Sequence, residues 1–152
     1  MQPDNKFDLI VVGAGHSGIE AALAAAKRGL KVALFTIKIE AIGRMSCNPS
    51  IGGPAKGHLA REIDALGGEL AKSADLSGIH FRMLNRSKGP AVWAPRSQND
   101  RQKYHLLMRE AVEKQENIHL IEAIIEEIIV ENGCVKGVIS QIGQCYYAPI
   151  VI

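Results

Sequence analysis

Gly13-Ala14-Gly15-His16-Ser17-Gly18 carries the spacing G-x-G-x-x-G directly after the apolar run Leu9-Ile10-Val11-Val12. The chemistry open to such a stretch is to hold a diphosphate. Gly13 permits a tight turn, Gly15 has no Cβ to keep a diphosphate off the backbone, and Gly18 lets a helix pack close to a strand. The helix N-terminus then offers unsatisfied N–H groups and about half a positive charge. A Gly-rich turn with no ligand uses the same residue types, so spacing alone leaves a structural turn open. The strand before the motif and the helical pattern after it favour a nucleotide site.

Two other sets of residues are chemically competent. Cys47 stands beside Asn48 in a long loop, residues 42–57, rich in Gly, Pro and small polar residues. It reads either as a small buried hydrophobe or as a thiol activated by Lys56, His58, Arg61 and a nearby helix start. From Arg82 to Lys103 the cations Arg82, Arg86, Lys88, Arg96, Arg101 and Lys103 meet one acid, Asp100, with His80, Phe81 and Trp93 among or beside them. That mixture suits phosphate contacts with stacking on a base or a flavin. It equally describes a solvated basic face around a core tryptophan.

The elements that must position these residues follow from periodicity. Residues 7–12 read as a strand buried on both faces, and residues 16–28 as a helix with Ile19, Ala22, Leu23 and Ala26 inward. Gly29 stops that helix, and residues 31–36 form a second strand, completing a βαβ unit. The acid that would bind ribose hydroxyls at the end of this strand is replaced by Thr36, with Glu40 four residues late. This departure weighs against a simple NAD dehydrogenase and leaves room for FAD.

A second helix is expected over residues 54–66, with Leu59, Ile63 and Leu66 on its inner face. Residues 75–101 read as irregular or mixed. Ser97 is expected to cap a helix running to about residue 116, with Asp100 in its first turn and Tyr104, Leu107, Met108, Ala111 and Val112 as its stripe. A parallel strand at 118–121 precedes three strands, 124–130, 135–141 and 144–148, the first two joined by the hairpin signal Asn132-Gly133. The three form an antiparallel meander over the parallel sheet, and Ile150 begins that sheet's next strand. The fold class is therefore α/β and Rossmann-like.

With 152 residues, 47% hydrophobic and 22% charged, the chain is of ordinary globular composition. A net charge of +2 is too small to imply nucleic acid by itself. Cys47, Cys134 and Cys145 show no paired or zinc-type spacing, so neither a disulfide framework nor a metal site is expected, and Cys134 and Cys145 read as structural. No apolar run approaches a membrane span, and residues 1–7 carry no signal-peptide core. A reducing cytoplasmic or organellar interior is expected. The abrupt apolar end, Pro149-Ile150-Val151-Ile152, reads as part of a longer protein.

Several longer motifs occur in a fixed order. Gly-Ala-Gly-His-Ser-Gly at 13–18 is followed by Ser46-Cys47-Asn48-Pro49, Ile51-Gly52-Gly53, Lys56-Gly57-His58, Asp64-Ala65-Leu66-Gly67-Gly68 and Ser87-Lys88-Gly89-Pro90-Ala91-Val92. Together they resemble the N-terminal part of the glucose-inhibited division protein A family, FAD-dependent tRNA uridine 5-carboxymethylaminomethyl modification enzymes. The resemblance covers essentially the whole chain and implies a flavoprotein of the two-dinucleotide-fold type, of which these residues are an incomplete FAD-binding domain.

By that resemblance FAD lies on Gly13, Ala14, Gly15, His16, Ser17 and Gly18, with a backbone contact around Ile125, and Thr36 fits the family's second strand. An NADH-binding insertion and a helical C-terminal domain would follow Ile152. The resemblance further implies a tRNA substrate modified at its wobble uridine, a GTPase partner, a methylene-folate donor, a homodimer, and a cytoplasmic location (mitochondrial in a eukaryote). It makes Cys47 a candidate catalytic thiol, adding at uridine C6 or moving a proton near the flavin. Lys88 and Arg96 become candidates for holding tRNA phosphate or flavin diphosphate. Another FAD or NAD(P) oxidoreductase, or a folate-dependent tRNA methyltransferase, is an alternative that the 46–57 motif argues against. A non-catalytic nucleotide-binding module needs only the Gly fingerprint.

Overall fold

The computed structural model describes residues 5–45 and 48–152 and divides into two compact units, one of residues 1–42 and 112–152, the other of residues 43–111. In the first unit, β1 (Leu9–Val12), β2 (Val32–Thr36) and β6 (Ile118–Glu122) form a parallel sheet in the order β1-β2-β6. All five β2 residues are buried, which is why that strand reads as an unbroken apolar run. Helix α1 (His16–Lys27) packs on β1 and β2 through Ile19, Ala22, Leu23, Ala25 and Ala26. The small alanines bring its axis close to the sheet.

The expected meander is present as β7 (Ile125–Glu131), β8 (Cys134–Ser140) and β9 (Cys145–Tyr147). Asn132 at φ 51° and Gly133 at φ 75° make the β7–β8 turn, both in the left-handed region that a two-residue type I′ hairpin requires. The meander closes over the sheet through one apolar cluster of Ile10, Ala33, Phe35, Val138, Tyr146 and Ala148. Phe35 and Tyr146 meet edge to face, with ring centroids 4.8 Å apart. Beyond β9 the chain returns to β1. Val151 pairs in parallel with Ile10, and Val12 N–H donates to Ile152 O at 2.8 Å.

The second unit contains β3 (Ser50–Gly52), α2 (Lys56–Ala65), α3 (Leu70–Ser77), β4 (Gly78–Leu84) and β5 (Ala94–Asn99), with an antiparallel sheet in the order β3-β5-β4. Helix α4 (Arg101–Lys114) leads the chain out of it. Four expectations are corrected here. The loop at 42–57 contains strand β3, and the stretch 75–101 is largely strand. The inner face of α2 is Gly57 and Ala60, while Leu59 and Leu66 are 56% and 90% exposed. Small residues allow the close approach to β5 that leucines would block, because a Cβ at Gly57 would press on Pro95. Ser97 lies inside β5, its Oγ donating to Asn99 Oδ1 at 2.8 Å. The α4 cap is Asp100, whose carboxylate accepts Lys103 N–H at 3.0 Å.

Asn99, 1% exposed, ties this unit together. Its carboxamide donates to Ala74 O at 2.6 Å and to Ser77 Oγ at 3.0 Å, joining β5 to α3.

Candidate functional site

The three glycines of the fingerprint are required for three different reasons. Gly13 sits at φ +108°, which L-residues rarely adopt, and its N–H donates to Phe35 O at 2.8 Å, turning the chain off the end of β1. At Gly18 a Cβ would collide with the Gly13 carbonyl oxygen and press on Val11 Cγ1 at 3.3 Å. Gly15 has neither excuse. Its φ of −76° and ψ of 179° are ordinary extended values, and a Cβ there would meet no protein atom within 4 Å. Among the described residues, neither backbone nor packing asks for glycine at 15, and the space over it is open.

That space adjoins the start of α1, where Gly15 is the N-cap and its carbonyl accepts Ile19 N–H at 2.9 Å. Gly15 supplies no side-chain cap, and no acid stands in the helix's first turn. The positive end of the helix is therefore open to an anion. Ala14 is buried, His16 is half-buried and Ser17 is exposed at this turn.

The strand order places the loop where a nucleotide is expected. Read across the sheet, the strands run β6, β2, β1 and then residues 150–152, all parallel. The chain order therefore reverses at β1, and the Gly loop leaves the carboxyl end of that strand, the switch point where open α/β sheets bind ligands. Thr36 ends β2 at the same edge. Its carbonyl accepts Ala123 N–H at 3.0 Å, two residues before Ile125 opens β7. The first unit thus brings Gly13–Gly18, Thr36 and Ile125 to one edge of the sheet.

Thr36 is buried, and its Oγ1 donates to Lys38 O at 3.0 Å, so its hydroxyl closes its own turn. The acid beside it comes from another strand. Glu122 is the register partner of Thr36, and its carboxylate accepts Ile39 N–H at 2.9 Å. By sequence the nearest acid is Glu40, four residues after Thr36. Glu122 could have been found only by aligning β2 with β6 across the sheet.

The second unit holds the other candidates. Lys88 is exposed on a short helical turn at Arg86–Lys88, and Arg96 is half-buried on β5, where its Nη2 donates to Ser50 Oγ at 3.3 Å. The two do not line a common pocket. Lys88 borders one with Arg82 and Arg86, and Arg96 borders another with Arg82. Arg82, in the sequence one of six cations and not singled out with Lys88 and Arg96, is shared by both. Trp93 is 43% exposed and its Nε1 donates to Arg86 O at 3.2 Å, so it is not a core tryptophan. Cys47, with Ser46, lies outside the described residues. Cys134 is exposed and Cys145 half-buried on the meander, where Cys145, by its charge and its hydrogen bond, pushes the Tyr147 hydroxyl up from its ordinary value. Among the described residues no cluster of His, Cys, Asp or Glu could hold a metal, and no helix is long and apolar enough to cross a membrane.

Comparison with known proteins agrees with this fold. The pattern of the family described as glucose inhibited division protein A matches residues 8–152. A Thermodesulfovibrio yellowstonii protein named tRNA uridine 5-carboxymethylaminomethyl modification enzyme MnmG is 60% identical over 152 residues, which is 100% of this chain and 24% of that protein. A Geobacter metallireducens protein of the same name is 54% identical over 149 residues, 98% of this chain and 24% of that protein. The Aquifex aeolicus GidA structure in its form II crystal superposes with a TM-score of 0.94 at 48% identity, covering 99% of this chain and 25% of that one. A probable FAD-dependent monooxygenase from Pseudomonas aeruginosa, pqsL, shares the fold at a TM-score of 0.67 and 16% identity, covering 96% of this chain and 41% of its own. The chain spans about a quarter of the length of the relatives it matches.

Proposed function

The chain belongs to the glucose inhibited division protein A family, and from that premise we propose that it is the N-terminal, FAD-binding part of a tRNA-modifying flavoenzyme. The observation that carries the cofactor assignment is Gly15, whose missing Cβ is explained by neither its backbone angles nor its neighbours. The relatives named for tRNA uridine modification carry the substrate assignment.

In this reading the α1 N-terminus and the backbone of Gly13–Gly18 hold the FAD diphosphate, with Thr36 and the chain at Ile125 beside it. FAD, when bound, supplies the redox chemistry of the reaction. The protein's task at the loop is to bind and orient the diphosphate without a competing side chain. Cys47 is the candidate thiol for attaching carbon at uridine C5, by adding at C6 or by moving a proton. Lys88 and Arg96 are candidates for phosphate contacts. The longer chain acts in the cytoplasm as a homodimer with a GTPase partner, takes reducing equivalents from NADH, a methylene carbon from a methylene-folate and the remaining atoms from glycine, and installs the 5-carboxymethylaminomethyl group on the wobble uridine. The 152 residues alone are inactive.

The test is to purify the full-length protein, measure bound flavin by its visible absorbance, and analyse tRNA nucleosides from cells lacking and regaining it. Flavin in the protein and return of the modified wobble uridine are expected. Flavin-free protein, or tRNA unaltered by its loss, overturns the proposal.

A further inference from the structure

One face of the β3-β5-β4 sheet gathers four side-chain hydrogen-bond donors, His80, Arg82, Arg96 and Gln98. Alternation puts His80, Arg82 and Leu84 of β4 on the same face as Arg96 and Gln98 of β5. The register sets His80 opposite Gln98 and Arg82 opposite Arg96. These five residues line a pocket of about 200 Å³ that contains no carboxylate. Like charges directly opposite one another destabilise a sheet. Arg96 spends one bond on Ser50 Oγ, a neutral partner, and the carboxylates of Asp64 and Asp75 border a separate pocket that the two arginines also touch. Packing does not require this polarity either, because β5 is anchored to α3 through Asn99, which lies on the other face by the same alternation.

We propose that this face is a phosphate-ester site in which the Arg82 and Arg96 guanidiniums together grip RNA backbone phosphate, with Gln98 and His80 as flanking donors. A guanidinium fork matches phosphate oxygens two at a time, and a bound anion relieves the cross-strand repulsion. The pocket volume falls below the roughly 300–1,000 Å³ that encloses a drug-sized ligand, so it suits a phosphate group and not a whole cofactor. Flavin diphosphate shares this chemistry and is the other source of such a group. The proposal rests on the tRNA-modifying reading above and adds Arg82 as a contact residue, leaving Lys88 outside the site.

The test uses the full-length protein and its Arg82→Gln and Arg82→Lys variants. Affinity for tRNA is measured at several salt concentrations, with flavin content and thermal midpoint read on the same samples. Arg82→Gln is expected to weaken tRNA binding about tenfold and to reduce the slope of log affinity against log salt by about one. Its flavin content should be unchanged and its midpoint equal or higher. Arg82→Lys should restore the slope without the full affinity. Unchanged affinity and slope overturn the site, a fall in flavin content assigns it to the cofactor instead, and a fall in midpoint makes the pair structural; the last two overturn the proposal as well. Absence of tRNA binding by the unaltered protein overturns the functional reading and this site with it. Binding that Arg82→Gln leaves intact overturns the site alone.

Discussion

The Gly18 Cα faces the Gly13 carbonyl oxygen so closely that no side chain fits between them, whereas Gly15, midway between the two, opens onto empty space. The helix is pressed onto the strand at one end of the loop and the backbone is bared at the other. Substitutions at 15 and 18 should therefore fail in different ways.

In the full-length protein, Gly15→Val should abolish bound flavin while the fold survives, since valine tolerates the extended angles and its Cβ meets no described protein atom within 4 Å. Gly18→Ala should lower stability by about 1–3 kcal/mol, because the helix must move off the strand. Flavin absorbance and urea denaturation separate the two effects. Normal flavin content in Gly15→Val would remove the diphosphate from this loop.

Replacing Asn99 by alanine should cost the second unit about 2–4 kcal/mol. It strands the Ala74 carbonyl and the Ser97 and Ser77 hydroxyls in a buried setting, each short of one partner. Denaturant unfolding of the full-length variant reads the loss. A change within about 0.5 kcal/mol, the usual surface effect, would show that water replaces the carboxamide.

Burial holds the Tyr146 hydroxyl above its ordinary value of 10.0. The folded state thus keeps this proton to higher pH than the unfolded chain does. The stability it contributes is complete below pH 10.0 and is lost as pH rises through the folded value. Tyr146→Phe keeps the edge-on contact with Phe35 and removes the ionisation. Urea midpoints should fall less steeply above about pH 10 in this variant than in the parent. Parallel curves would place the alkaline sensitivity elsewhere.

Cys47→Ser in the full-length protein should retain FAD and lose wobble-uridine modification, because a serine hydroxyl is a far weaker nucleophile at neutral pH. Flavin spectra and nucleoside mass spectrometry give the two readouts. Full modification by the serine variant would return Cys47 to the role of a small buried hydrophobe.

What the sequence determined by itself is the part of the protein whose instructions are local. The apolar run at 9–12, the glycines at 13, 15 and 18 and the helical stripe from Ile19 to Ala26 lie within a few turns of chain, and each demands its own conformation. Asn132-Gly133 specifies a hairpin because both residues accept positive φ. The βαβ unit, the meander and the Gly loop were legible for that reason.

The tertiary structure alone decided the rest. Strand β5 reads as irregular because the residues it buries by alternation, Ser97 and Asn99, are polar, and β4 alternates apolar with polar over Ile79-His80-Phe81-Arg82-Met83 without burying either set. They exist as strands through pairing with each other and with β3, which brings Arg96 to Ser50 across 46 residues. The same long-range register sets Glu122 beside Thr36 and Arg82 opposite Arg96. Register between distant strands follows from how whole elements pack, and no local pattern of residue types encodes it.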